Sequence, residues 1–389
     1  MPDTRISHLA RSIGVFAGVM AFTWQIGYAL ATDAIGPRLM RPLPYQVVQR
    51  EGFHPREAHS HGPLVTSLGF AEVPLELSLA GLAGAELDGA NFEYQVVSLV
   101  GDGVEPAKPA LVDWTRIAGK RDQDLWRASA RVPAGGWYRL SLRARHGEQT
   151  LFTASAEPFG VGEVFVVAGQ SYAVGANDEV IKVEDAQGRV AAYDVQQQTW
   201  RVAHDPQPNA GDGGTIWPTT GDLLLPAVRV PIGFVNVAVG GTATRQWLPG
   251  EKLYQQLSAA GKSIGRFRAV LWQQGESDVI EHRSTEYYVD NMTRIRQSLA
   301  RDWGFEPPWL LAKSTLHPTV YNDPAGEGRI RAAIDKLWAT PGFRPGPDTD
   351  ILDGESRGGL GTRRHFSGIG QRRAALLWFA AIWQELNRD

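Results

Sequence analysis

Four short segments of this chain carry residues suited to nucleophilic chemistry. Gly169-Gln170-Ser171 follows the apolar run Val164-Phe165-Val166-Val167-Ala168. A serine just past a buried strand stands where open α/β sheets collect their reacting groups, and Gly169 lets the backbone turn there. A serine hydroxyl needs a base, and His365, in His365-Phe366-Ser367, is the candidate. Attack on a carbonyl creates an oxyanion that must be met by fixed donors. The Gly240-Gly241 pair of Val237-Ala238-Val239-Gly240-Gly241-Thr242 and the Gln274 side chain could supply them. Glu276, two residues after Gln274, offers a carboxylate to orient a histidine. The nucleophile elbow of α/β-hydrolases requires glycine two residues after the serine, and Ala173 occupies that place, which disfavours that family.

The elements that must position these residues are legible in the hydrophobic pattern. Continuous apolar runs at Val164–Ala168, Ile232–Val239, Phe267–Trp272 and Trp309–Ala312 suit strands buried on both faces. Between them Tyr288, Met292, Ile295 and Leu299 keep helical spacing, and Ser367 reads as the N-cap of a last helix burying Leu377, Trp378, Ala381 and Ile382. Buried strands alternating with helices predict a parallel α/β sheet. Upstream the period changes to two: Leu75, Leu77 and Leu79 alternate with polar residues, as do Tyr138, Leu140, Leu142 and Ala144. Asn91–Leu99 and Trp126–Val132 also read as strands, and together they predict a smaller β-sandwich-like module. The expected organisation is residues 1–31 as a signal peptide or membrane anchor, 32–158 as linker and β module, and 159–389 as the α/β domain.

The bulk properties narrow the function classes. The chain has 389 residues and a net charge of -3, which leaves no electrostatic footprint for nucleic acid. It has no cysteine, which removes disulfides, thiolate metal sites and cysteine nucleophiles. His54, His59 and His61 lie in a Pro- and Gly-rich stretch without a carboxylate at ligand spacing, and are read as solvated linker residues. No metal or cofactor is expected. Arg5, His8 and Arg11 precede an uncharged stretch from Ser12 to Ala31 that ends in Ala29-Leu30-Ala31, the pattern of an export signal.

The order Gly-Gln-Ser, Gly-Gly-Thr, Gln-Gly-Glu-Ser and His-Phe-Ser before a terminal helix resembles the SGNH (GDSL-type) hydrolases, within them the sialate O-acetylesterase and acetylxylan-esterase-like branch. The resemblance covers roughly Gly162 to Trp383. It implies a three-layer SGNH fold with Ser171 as nucleophile, His365 as general base, Ser171 and Gly241 N–H groups with the Gln274 side chain as oxyanion hole, and Glu276 as triad acid. It implies no cofactor and an acetylated carbohydrate as substrate. Two positions depart from the pattern: Tyr172 stands where the family usually has asparagine, and Thr362 where many members carry an aspartate three residues before the histidine. Asp353 is the second candidate acid. Tyr172, Trp217 and Trp247, beside the catalytic segments, are candidate sugar-stacking residues.

An exported carbohydrate O-acetylesterase is the leading reading. An acyltransferase on the same machinery, or a non-catalytic carbohydrate-binding protein with a decayed site, stays open; the glycan and the oligomeric state do not follow from the sequence. N-terminal sequencing of protein recovered from the native host should find the chain outside the cytoplasm, and starting near residue 32 if the signal is cleaved. A cytoplasmic product that retains Met1 would contradict the export reading.

Overall fold

The computed structural model describes residues 36–53, 68–82, 87–99, 110–208, 211, 213–318, 321–358 and 363–388. The expected export segment, His54, His59, His61 and Thr362 lie outside these residues. The first part is built of β1 (Arg38–Arg41), β2 (Gln46–Gln49), β3 (Phe70–Ser78), β4 (Asn91–Ser98), β5 (Val112–Arg116), β6 (Gly119–Asp122), β7 (Leu125–Pro133) and β8 (Gly135–His146). One antiparallel sheet has the order β1-β3-β7-β6, and β5-β4-β8 begin another. The period-two pattern explains the pairing. β3 buries Ala71, Val73, Leu75 and Leu77 while Glu72 and Pro74 face solvent. Val96, Leu140 and Leu142 of the second sheet join Val73, Leu75 and Leu77 in one core.

The following strand, β9 (Gln149–Gly169), belongs to both parts of the molecule. Its first half pairs antiparallel with β8, and Phe159–Gly162 run parallel to β2. The remaining strands are β10 (Val190–Asp194), β11 (Thr199–Val202), β12 (Ile232–Asn236), β13 (Ala269–Gln273), β14 (Trp309–Lys313) and β15 (Phe343–Asp348). From Glu163 onward β9 lies between β12 and β13, parallel to both. The sheet order is β11-β10-β12-β9-β13-β14-β15, with only the β10–β11 hairpin antiparallel in this run. The expected boundary between residues 158 and 159 therefore falls inside a strand rather than in a linker.

Helices cover both faces of the parallel sheet. They are α1 (Ser171–Val174), α2 (Trp217–Val228), α3 (Lys252–Ile264), α4 (Glu276–Ile280), α5 (Thr285–Trp303), α6 (Pro324–Trp338) and α7 (Gly368–Leu386). Alternate residues of β9 separate the layers. Phe165 and Val167 pack with Leu224 and Val228 of α2 and Trp378 of α7, whereas Val164, Val166 and Ala168 share a core with Leu257 of α3, Ile295 of α5 and Ile330 of α6. Ser367 caps α7 as expected, its hydroxyl accepting from the Gly370 N–H at 3.2 Å. No described helix is long and apolar enough to cross a membrane.

A buried ion cluster joins β2, β9 and the entry to β13. Glu163, fully buried, receives Arg50 Nε and Arg268 Nε at 2.7 Å each, and Gln49 Nε2 at 2.9 Å. Burial alone would raise the Glu163 pKa, but the two guanidinium charges outweigh it and hold the carboxylate below its ordinary range. Glu163→Ala would leave Arg50 buried without its counter-ion. The variant should lose about 3–5 kcal/mol in urea denaturation; a loss under about 1 kcal/mol would show that the cluster does not hold the junction.

Candidate active site

The carboxyl ends of β9, β12, β13 and β14 converge where the chain reverses its direction of travel across the sheet. After β9 it moves towards β10; after β12 it crosses β9 to β13. Such a switch point leaves a crevice outside the strand ends. Gly169 closes β9 with φ of +129°, and a Cβ there would lie 2.1 Å from the Gln273 carbonyl oxygen. Only glycine fits, so β9 and β13 stay close to their ends. The Gln170 N–H then donates to Gln273 O at 2.9 Å, and the Gln170 side-chain oxygen accepts from the Ser277 N–H at 3.3 Å.

Ser171 opens the single-turn helix α1 and is 8% exposed. Its N–H is one of the helix-start donors left without an intrahelical acceptor. Ala173 and Val174 donate to Gln170 O, whereas the Ser171 N–H meets no acceptor among the described residues. A side chain on Gly240 would point at Ser171 Cβ from 3.9 Å. Gly241 has φ of +70° with open space beside it, and its N–H likewise finds no acceptor among the described residues. The structure thus brings together Ser171 and the glycine pair expected to form an oxyanion hole.

Other expected roles need correction. Gln274 is not a free oxyanion donor. Its amide nitrogen donates to Thr242 O at 3.1 Å and to Asp278 Oδ2 at 2.6 Å, which leaves its carbonyl oxygen buried without a partner. Reversing the amide would set two oxygens against each other, so the network fixes this orientation. Asp278 also accepts from the Thr244 N–H at 2.9 Å and the Thr244 hydroxyl at 2.7 Å. The pair therefore braces the loop after β12 from below. Trp217 and Trp247 are fully buried and offer no face to a sugar. Trp217 Nε1 donates to Ala173 O at 2.9 Å, and Trp247 Nε1 donates to Thr242 Oγ at 3.1 Å. Tyr172, 2% exposed, is equally closed to stacking on substrate.

Glu276 is not the partner of His365. It is completely buried at the start of α4, accepts from the Ser314 hydroxyl at 3.0 Å and has its second oxygen unpartnered. Burial, then repulsion from Asp350, push its pKa up to about 8, so the carboxyl is largely protonated at neutral pH. Among the described residues no carboxylate lies within ion-pairing distance of His365. Asp353 is exposed on the loop before α7. The carboxylate whose charge does act on His365 is Asp178, a residue the sequence reading passed over. Its N–H donates to Phe366 O at 3.1 Å.

His365 is half-buried, with Nε2 enclosed and hydrogen-bonded to nothing, so no hydrogen bond yet joins it to Ser171. Burial, then the charges of Arg364 and Arg357, lower its pKa to about 4. It is therefore a free base at neutral pH. His317, on the loop after β14, is a second buried imidazole with both nitrogens unpartnered and its pKa lowered to about 4, first by burial. Nothing in its sequence context flagged it, because only the fold carries this loop back to the site.

Residues 161–313 match the family described as carbohydrate esterase, sialic acid-specific acetylesterase. The matched stretch covers less than half of the chain. It contains Ser171, Gly241, Gln274 and Glu276, while His365 lies beyond it. A probable carbohydrate esterase of Arabidopsis thaliana is 29% identical over 170 residues, which is 37% of this chain and 65% of the relative. The match thus spans just under two thirds of that protein. In fold, the chain is similar to a carbohydrate acetylesterase from Xanthomonas citri, with a TM-score of 0.51 at 16% identity, covering 87% of this chain and 74% of the other. That likeness is one of mixed α/β fold.

The titrations predict a measurable stability pattern. The folded state holds the Glu276 proton up to about pH 8, well above the ordinary carboxylate range. This raised pKa favours folding below the unfolded value, and the contribution fades as pH rises towards 8. Glu276→Gln removes that dependence. The melting temperature of the variant relative to the wild type should therefore climb between about pH 5 and pH 8; a difference independent of pH would contradict a protonated Glu276.

Proposed function

We propose that this protein is a serine esterase that removes O-acetyl groups from a carbohydrate. The observation that carries the reading is the free N–H groups of Ser171 and Gly241 at the switch point, with a neutral His365 packed against the ring of Tyr172, the residue after Ser171. The family of residues 161–313 and the similar proteins supply the substrate class. In the proposed course, the ring of His365 closes on Ser171 and Nε2 takes the hydroxyl proton as Oγ attacks the acetyl carbonyl. The carbonyl π electrons move onto oxygen, where the Ser171 and Gly241 N–H groups meet the charge. The imidazolium then returns the proton to the sugar oxygen as the ester bond breaks. Water, deprotonated by the same nitrogen, attacks the acetyl-enzyme and releases acetate with Ser171 restored. Asp178 favours the transient imidazolium by its field. The same reading places the protein outside the cytoplasm, supported by the basic flank and apolar stretch before Ala31.

The lowered His365 pKa fixes the expected pH profile. The base form is the competent one, and it persists until pH falls to about 4 rather than to the ordinary 6.5. Hydrolysis of p-nitrophenyl acetate and of acetylated sugars should keep its kcat/KM from about pH 7 down to about pH 5 and then decline. Ser171→Ala should reduce kcat by about three orders of magnitude or more. Wild-type turnover in Ser171→Ala would end the esterase reading, and an acid limb centred near the ordinary histidine value would contradict the electrostatics.

A further inference from the structure

The backbone around His365 is held by several hydrogen bonds, although ring Nε2 has none. The Arg364 carbonyl accepts from the Tyr172 hydroxyl and from Arg357 Nη1, the latter at 3.3 Å. The His365 carbonyl accepts from the Gly358 N–H at 2.8 Å. The Phe366 N–H donates to Asn177 Oδ1 at 3.2 Å, and Asn177 Nδ2 donates in turn to the Tyr172 carbonyl at 3.1 Å. Two of these ties lead to Tyr172, the residue directly after the nucleophile. The imidazole itself rests edge-on against the Tyr172 ring, with centroids 5.3 Å apart at 72°.

Tyr172 is in turn set by Arg357. This arginine is 5% exposed, and among the described residues no carboxylate lies within ion-pairing distance of it. Its Nη1 donates to the Tyr172 hydroxyl, its Nε to Leu352 O, and its Nη2 to Thr349 O at 3.2 Å. The guanidinium carbon sits 5.1 Å from the Tyr172 ring centre and 4.9 Å from that of Phe366. A guanidinium only donates, so it occupies a lone pair of the phenol oxygen and turns the O–H towards the Arg364 carbonyl and the Leu316 carbonyl, the latter 3.3 Å away. A buried phenol without partners would be costly, and a phenylalanine would fill the same space. The hydroxyl is explained by the loop that it holds.

We infer that Tyr172, oriented by Arg357, is the positioning residue for His365, tying the base to the nucleophile's own turn in place of a hydrogen-bonded carboxylate. The inference rests on the Ser171–His365 reading above. It gives a role to the position at which this chain departs from the family pattern. Charged and titratable groups facing His365 are Arg364, Arg357, Asp178 and His317, and Tyr172 meets it through its ring. Tyr172 does not touch the reacting atoms; it acts through the place at which it holds the base.

The test is a double-mutant cycle on p-nitrophenyl acetate hydrolysis, with a thermal melt for each variant. Tyr172→Phe should lower kcat about tenfold to a hundredfold, the scale expected when a reacting group is displaced by a fraction of a residue's width, with KM nearly unchanged. In a His365→Ala background the same substitution should cost nothing further. A purely structural role would instead lower turnover by the same factor in both backgrounds, and that result, or full kcat in Tyr172→Phe, would overturn the inference. If Tyr172→Phe melts below the assay temperature, Arg357→Lys replaces it in the cycle: its loss of kcat should also vanish without His365, and an equal loss in both backgrounds again overturns the inference. Failure of the underlying reading shows separately, as turnover that survives Ser171→Ala.

Discussion

The close approach of β9 and β13 at their carboxyl ends governs the whole site. It exists because residue 169 has no side chain: a Cβ would sit 2.1 Å from the Gln273 carbonyl oxygen. With the strands held together, Gln170 bonds both the end of β13 and the start of α4, and Ser171 must emerge between them. β12 is brought to the other side of β9, where the Val239 N–H donates to Gly169 O at 3.0 Å and sets Gly240 beside the serine. One steric constraint thus places Ser171 and the Gly240-Gly241 pair before any charge is considered.

Charge and burial then decide what each group can do. Glu276 lies inside the protein beside Asp350 and keeps its proton; Asp278, raised by burial but fed by three donors, serves as an acceptor that braces the loop after β12. Histidines 317 and 365 are kept neutral by burial and by nearby guanidinium groups. Among the buried polar atoms without a partner, Gln274 Oε1, Glu276 Oε2, both His317 nitrogens, Arg364 Nε and His365 Nε2 belong to this end of the sheet, whereas Arg50 Nη2, Arg145 Nε and Arg296 Nε do not. Buried polar groups are ordinarily satisfied, and their exceptions gather where a structure is built to receive something. At the opposite end of β9 the Glu163 carboxylate is enclosed by Arg50, Arg268 and Gln49, while Arg50 Nη2 finds no partner.

Much of this architecture was legible in the chain. The apolar runs at Val164–Ala168, Ala269–Trp272 and Trp309–Ala312 became β9, β13 and β14 because strands covered on both faces leave no polar position to interrupt them, and Arg268 marks where β13 begins. β15 was illegible, since Pro345, Gly346 and Pro347 are poor strand formers; the edge of the sheet tolerates them. The site divides in the same way. Motif order set the serine and the glycines at strand ends and the histidine just before the last helix. It could not show where a side chain points once there, and so it gave Gln274 to the oxyanion and Glu276 to His365. Asn177, Asp178, Arg357 and His317 were missed because their partners lie far along the chain, and no local pattern marks a residue whose function depends on a distant contact. Tyr172 was noticed as a departure and as a candidate stacking residue; the fold shows what it holds.

The central claim is that Ser171 carries the acetyl group between the two halves of the reaction. Rapid acid quenching of the protein during p-nitrophenyl acetate turnover, followed by peptide mass analysis, tests this directly. The account predicts the mass of one acetyl group on the peptide that contains Ser171, present at early times, lost on continued incubation without substrate, and absent from Ser171→Ala. Turnover with that peptide unmodified, or an acetyl group that forms on another residue and is then discharged, would contradict it.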